Sequence, residues 1–178
     1  ALPMLLVSIG LLIAVLILGG CAAMPEEPRV LHRSLHTHLG TSDDLLTGGL
    51  GREGLANPTP PVVTDDAEGR RRLAYHSNWR AIADLSPAGG YGTLYGHLGR
   101  VPGIETKAWL GEVGVLHPHG VLLHIPKHFD ADRACIVVAP VSGSRGIYGA
   151  MSTAGAWGLA RGCAVVYTDK GAGTGFFD

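Results

Sequence analysis

Ser142-Gly143-Ser144-Arg145-Gly146 is the run in this 178-residue chain whose types and spacing best suit chemistry. Two hydroxyls and a guanidinium stand among glycines that let a backbone tighten. The run approaches the G-x-S-x-G turn that exposes a nucleophilic serine between a strand and a helix, but Ser142 stands where the first glycine belongs. The start of a helix offers N–H groups to a developing negative charge. The run is therefore read as an oxyanion or substrate-positioning loop in preference to a nucleophile, with a plain tight turn as the alternative. Asp169-Lys170-Gly171-Ala172-Gly173-Thr174-Gly175 is the second candidate. Its lysine precedes the glycines, so it lacks the spacing of a phosphate cradle. His36/His38 and His117/His119 share the H-x-H spacing that puts two imidazoles on one face of a strand, as zinc requires. No Cys, Asp or Glu stands at a diagnostic distance from them. Ordinary polar histidines are expected, with no metal and no cofactor.

These residues need elements to position them. Cys135–Pro140 is short, β-branched and apolar on both faces, which predicts a strand buried between helices. It empties into Ser142–Gly146. A helical segment follows, roughly Ile147–Ala160, closed by Arg161-Gly162, and Cys163–Thr168 is the next strand. A parallel pair joined by a right-handed crossover is the expected arrangement. Upstream, Trp109–Leu116 and Val121–Ile125 predict a hairpin turning at His117–Gly120. A hairpin followed by a parallel β-helix-β unit is how an α/β-hydrolase sheet begins, here incomplete. Asp65–Asp84 is helical, with Leu73, Trp79, Ile82 and Leu85 as its buried stripe. Arg70-Arg71-Arg72 on that helix is a solvated face or meets an acidic partner within the fold. Thr41–Leu46 predicts a short helix capped by Thr41 or Ser42 and broken at Gly48–Gly51. Ser86–Gly99, dense in Gly and Tyr, is a loop that either approaches a ligand or packs on its tyrosines.

Ala1–Gly20 carries no charge and ends at Leu18-Gly19-Gly20-Cys21. This pattern predicts a lipoprotein-type export signal, with Cys21 as the lipidated new N-terminus. A plain signal or a membrane anchor is the alternative. Residues 21–70 then form a tether and irregular region, and 71–178 the first part of a hydrolase domain. The expected location is outside the cytoplasm, as a periplasmic or outer-membrane lipoprotein or an extracellular protein. A net charge of −1 gives no reason to expect nucleic acid as a partner. Cys135 and Cys163 open the two neighbouring strands. Two small buried thiols are the preferred reading; a disulfide is the alternative that strand pairing in an oxidising compartment would allow.

Several stretches together resemble the bacterial D-(−)-3-hydroxybutyrate oligomer hydrolases: Asp43–Gly51, Gly89–Gly96, Gly120–Phe129 and Ser142–Gly171. The resemblance implies an exported serine esterase that cleaves dimers and short oligomers of 3-hydroxybutyrate released from polyhydroxybutyrate. It implies a small-molecule ester as substrate and no cofactor; the N-terminal lipid anchor or signal segment is the expected contact with the membrane. Members of that family are several times longer. The expectation is that this chain is an N-terminal fragment, that its Ser, acid and His lie beyond Asp178, and that alone it is inactive. No triad residue is assigned within it. Arg145 is a candidate partner for the substrate carboxylate, or else for an acid inside the protein. The competing class is a non-catalytic, lipid-anchored binding or scaffold domain of the envelope.

Overall fold

The computed structural model describes residues 29–62, 64–91 and 95–171. One open, five-stranded sheet organises them, in the order β1-β2-β3-β5-β4. Its strands are β1 Arg29–His38, β2 Gly103–Gly111, β3 His119–Pro126, β4 Ile136–Pro140 and β5 Ala164–Thr168. The three pairings from β1 through β2 and β3 to β5 are antiparallel; β4 and β5 are parallel. The fold is thus mixed α/β, and both the hairpin and the parallel pair are present. The hairpin sits earlier than its sequence pattern suggested. β2 starts at Gly103, and Glu112–Pro118 forms the connection. Ile104, Thr106 and Ala108 pair with Ile125, Leu123 and Val121, so it is the cross-strand register that extends the strand backwards.

One face of the sheet is covered. Helix α1 (Gly51–Ala56), helix α2 (Ala67–Arg80) and the β4–β5 crossover lie over it. Leu122, His124, Val165 and Tyr167 point into that layer and meet Leu45, Leu55, Tyr75, Trp79, Met151 and Leu159, all fully buried. The opposite face has no such cover among the described residues. Ile136 and Val138 of β4 are 63% and 64% exposed. This corrects the expectation of a strand buried on both sides. β4 lies at the sheet edge, and its composition suits a covered strand that nothing described here covers.

Three further expectations change. Arg29–His38, assigned to the tether, is the edge strand β1. The lack of a buried apolar face hid it, since its residues are mostly exposed. Thr41–Leu46 is a turn and not a helix. The Asp44 carboxylate takes the backbone N–H groups of Leu46 and Thr47 (2.7 Å each), Gly49 (3.0 Å) and Val101 (3.3 Å), and the Thr47 hydroxyl as well. A side chain that captures its own following amides competes with helix formation. The helix starts later, at Gly51. In α2, which ends at Arg80, Asp66 is the cap, accepting from the Gly69 amide at 2.7 Å. Trp79 and Leu85 are buried as expected, but Ile82 is 45% exposed.

The cysteines are bonded. Cys135 and Cys163 form a disulfide with their Cα atoms 4.6 Å apart. The two residues immediately precede the register pair Ile136↔Ala164, so parallel pairing brings them side by side. The preference for free thiols is overturned. Ala1–Gly20, Cys21 and Ala172–Gly175 lie outside the described residues, as does Gly92–Leu94 of the Gly/Tyr loop. Among the described residues no helix is long and apolar enough to cross a membrane.

Candidate functional site

The C-terminal ends of β4 and β5 open side by side, the place where α/β sheets bind ligands. Val141 N–H donates to the Thr168 carbonyl at 2.8 Å and holds the two exits together. Gly143–Arg145 then winds a single 3₁₀ turn, with the Arg145 amide donating to the Ser142 carbonyl at 3.2 Å. Gly146 ends it at φ 63°, a conformation that a side chain disfavours. Ser142 and Ser144 are exposed and Arg145 is half-buried. Among the described residues no carboxylate pairs with the Arg145 guanidinium. The expected helix at 147–160 is a mixture: a turn through Tyr148, a π-helical turn at Met151–Gly155, then helix α3 at Ala156–Leu159.

Across the gap, Asp169 is 1% exposed. Its carboxylate accepts the amides of Gly120 (2.8 Å) and Gly171 (2.9 Å). Asp169 therefore ties the start of β3 to the exit of β5, and its role is structural. A Cβ at Gly120 would lie 2.8 Å from Asp169 Oδ2, Ile147 Cγ2 and Trp109 Cζ3, so this junction is packed tightly around a bare backbone.

Helix α2 supports the loop from below. Asn78 Nδ2 donates to the Arg145 carbonyl at 3.4 Å, and Tyr75 stacks tilted against Tyr148 with centroids 5.3 Å apart. The helix is itself fixed by a buried polar network. Arg71 Nε donates to both Glu105 oxygens (3.2 and 3.1 Å) and Nη2 to Oε2 (2.9 Å). Nη1 reaches Asp43 at 3.0 Å, and Nη2 also reaches the Asp44 carbonyl at 3.0 Å. His124 Nε2 donates to Glu105 Oε2 at 2.8 Å. Burial works against ionising Glu105, but the Arg71 charge and the His124 hydrogen bond outweigh it and hold the carboxyl far below its ordinary range. Burial pushes His124 below its usual value, so it sits as a neutral imidazole. Burial would raise Asp43; the His38 hydrogen bond and the Arg71 charge bring it below its ordinary value. Of the basic run, Arg71 meets an acidic partner within the fold. Arg70 pairs with Asp65 and Arg72 with Glu68 at the surface.

A cavity of about 720 Å³ lies between α2 and the β1–β2 ledge. Its floor is set by register: His36 opposite Glu105, Ser34 opposite Lys107, His32 opposite Trp109. Tyr148, two residues past the loop, closes one side. His38 is 4% exposed; its Nδ1 bonds Asp43, and its Nε2 has no hydrogen-bond partner. The H-x-H spacing of His36 and His38 does put both rings on one face, with centroids 6.4 Å apart. Among the described residues, however, no three His, Cys, Asp or Glu side chains are grouped to hold a metal ion. The sequence reading missed this cavity. Its signal was the polar alternation His32, Ser34, His36, His38, which marks one face of a strand.

The profile of the 3HB-oligomer hydrolase family matches residues 23–178. The chain belongs to this family. Among its relatives are D-(−)-3-hydroxybutyrate oligomer hydrolases of three organisms. The one from Ralstonia pickettii is 48% identical over 80% of this chain and 22% of the relative. That from Burkholderia ambifaria is 44% identical over 92% and 27%. That from Azoarcus sp. strain BH72 is 43% identical over 86% and 24%. The chain therefore spans about a quarter of the length of the curated relatives it matches. No solved structure matches it. The 3HB-oligomer hydrolase profile includes β1, the Asp44 turn and the network as well as the loop at Ser142–Gly146.

Proposed function

We propose that this chain is the N-terminal part of an exported serine carboxylic-ester hydrolase acting on 3-hydroxybutyrate dimers and short oligomers from polyhydroxybutyrate breakdown. The family match over residues 23–178 carries this reading. The strand order supports its finer points. We read β2-β3-β5-β4, with its β-helix-β crossover between β4 and β5, as the opening of an α/β-hydrolase sheet. In that fold the loop after the third strand supplies an oxyanion-hole N–H. Here that loop is Ser142–Gly146.

In the proposed mechanism a serine, activated by histidine, attacks an ester carbonyl. Amides of Ser142–Gly146 hold the resulting oxyanion. The tetrahedral intermediate collapses, the hydroxyl end of the next unit leaves with a proton, and water then releases the acyl group. Arg145 is the proposed partner of the substrate carboxylate. The nucleophile and base are proposed to lie outside residues 1–178. In keeping with that, the described histidines with side-chain hydrogen bonds meet Asp43, the Asn57 carbonyl and Glu105, and none meets a serine. Export through Ala1–Gly20, with lipid on Cys21, accords with the Cys135–Cys163 disulfide, a bond that persists in oxidising compartments.

The test is release of 3-hydroxybutyrate from its dimer and trimer by the full-length protein, by residues 1–178 alone, and by the full-length Ser144→Ala variant. The full-length protein and the variant are expected to turn over and the short chain to be inert. A full-length protein inactive on both oligomers refutes the function. Turnover abolished by Ser144→Ala refutes the assignment of that loop.

A further inference from the structure

We propose that the free edge of β4 and the uncovered sheet face beside it are the docking surface for the rest of the same polypeptide, which adds a helix over Ile136 and Val138 and a strand parallel to β4. This rests on the reading of residues 1–178 as the N-terminal part of a longer chain and adds to it where the remainder attaches. The matched part is 22% to 27% of the relatives' length, so most of such a chain has still to find its place.

The two edges of the sheet are built differently. β1, at one end, carries Arg29, His32, Arg33 and His36, and its register shifts between Val30 and His32. Charges and irregular register are how an edge strand resists further pairing. β4, at the other end, is Ile136-Val137-Val138-Ala139-Pro140, without a charge and in unbroken register with β5. The Val141 amide donates to the Thr168 carbonyl and the Ala164 amide to the Cys135 carbonyl, both across to β5. Alternation along the strand then turns the N–H groups of Ile136 and Val138 away from β5, toward the open edge.

The face beside this edge is equally unfinished. Val137 and Ala139 pack into the covered layer, whereas Ile136 and Val138 point the other way and are 63% and 64% exposed. Register sets Val138, Val166 and Leu123 in one row across three strands on that uncovered side. Parallel strands are ordinarily covered on both faces.

Handedness selects the occupant. β5 already has β3 and β4 as neighbours, so a further parallel strand joins at an edge, and β4 is the nearer and unguarded one. From β4 to β5 the chain travels toward β3, with its crossover on the covered face. To pass β4 it travels the opposite way. Parallel crossovers are right-handed, so reversing the direction of travel moves the connecting helix to the opposite face, over Ile136 and Val138. One continuous segment thereby fills both the face and the edge. A strand parallel to β4 also finishes at the same end of the sheet, so the turn after it faces Ser142–Gly146 and forms the second wall of that site.

The experiment uses the full-length protein at a concentration where sedimentation shows a monomer. The amides of Ile136 and Val138 are expected to exchange hydrogen about a hundredfold or more slower than in an unstructured peptide. Carbene labelling read by mass spectrometry should modify their side chains far less than those of Val62 and Leu116, which are 90% and 87% exposed. Val138→Lys should lower the urea midpoint, and Leu116→Lys should leave it in place. Exchange of both amides at the unstructured rate, labelling of Val138 equal to that of Leu116, or an unmoved midpoint for Val138→Lys overturns the proposal. Protection that disappears on dilution assigns the surface to a second copy, and protection lost on deleting residues 1–28 assigns it to the N-terminal segment; either overturns it too. Cleavage of the dimer and trimer is measured on the same samples. A protein that protects β4 yet cleaves neither refutes the hydrolase reading and leaves the docking surface standing.

Discussion

Removing the Glu105 carboxylate should unfold the packing between α2 and the sheet more than any surface change could. Glu105 is 4% exposed and accepts from Arg71 Nε, Arg71 Nη2 and His124 Nε2. Glu105→Leu leaves Arg71 buried with only Asp43 and neutral groups around it. Breaking a buried pair from one side costs about 3–5 kcal/mol, because the remaining charge loses both its water and its partner. Arg71→Met should cost a similar amount, since Glu105 then keeps only His124. The double variant should cost much less than the two added, as neither charge is stranded. The expected coupling is about 2 kcal/mol or more. Urea unfolding at pH 7.5, followed by the fluorescence of buried Trp79 and by circular dichroism, measures all four proteins. Costs that add to within about 0.5 kcal/mol would show that the two groups are independent and refute the reasoning. The same pair sets a pH dependence. Glu105 is ionised in the folded state well below its ordinary value of 4.5, whereas the unfolded chain takes up the proton near that value. The stabilisation is therefore complete above about pH 5 and declines as pH falls. His124, held neutral below its ordinary 6.5, acts in the same direction, because only the unfolded chain gains that proton as pH drops. Stability should fall from pH 7 to pH 4, by at most about 1.4 kcal/mol per pH unit for each group. Glu105→Gln should flatten the lower part of that curve.

Two other perturbations follow from local geometry. Reduction of the disulfide, or Cys135→Ser with Cys163→Ser, opens a loop closed over a separation of 28 residues; the expected loss is about 3–4 kcal/mol by the chain-entropy relation. Mass spectrometry of alkylated protein with and without reductant should show two extra labelled cysteines only after reduction. Gly120→Ala pushes a methyl against Asp169, Ile147 and Trp109, each at 2.8 Å; a loss of about 1–3 kcal/mol is expected in thermal or urea unfolding, and an unchanged midpoint would mean that this junction relaxes freely.

What could be read from the sequence follows how one-sided each signal was. Val121–Ile125 and Cys163–Thr168 are mostly apolar; the first lies within β3, and β5 takes up the second from Ala164 onward. Asp65–Asp84 contained α2 because Asp66 supplies a cap. β1 escaped notice since an edge strand with both faces near solvent need not alternate in hydropathy. Thr41 and Ser42 looked like the cap of a helix; Asp44 instead folds its own turn through the amides of Leu46, Thr47 and Gly49, and the Val101 amide 57 residues away, which no local pattern reveals, adds to its hold. The network was invisible for the same reason: Arg71, Glu105 and His124 are polar residues on elements brought together only by the sheet. For the site, the loop at Ser142–Gly146 was legible as a position, whereas the cavity beside it depends on β1 and was not.

The disulfide lies where β4 and β5 begin, and the candidate loops lie where they finish. Five residue pairs, from Ile136↔Ala164 to Pro140↔Thr168, separate the two ends. A ribbon stapled at one end can part only from the other. Thermal breathing of this pair is thereby directed to the mouth formed by Val141 and Thr168, whose single 2.8 Å hydrogen bond is the first rung to open. Cutting the staple would let the strands slide as well as splay, so the redox state of two distant sulfurs governs how repeatably that mouth returns to one shape.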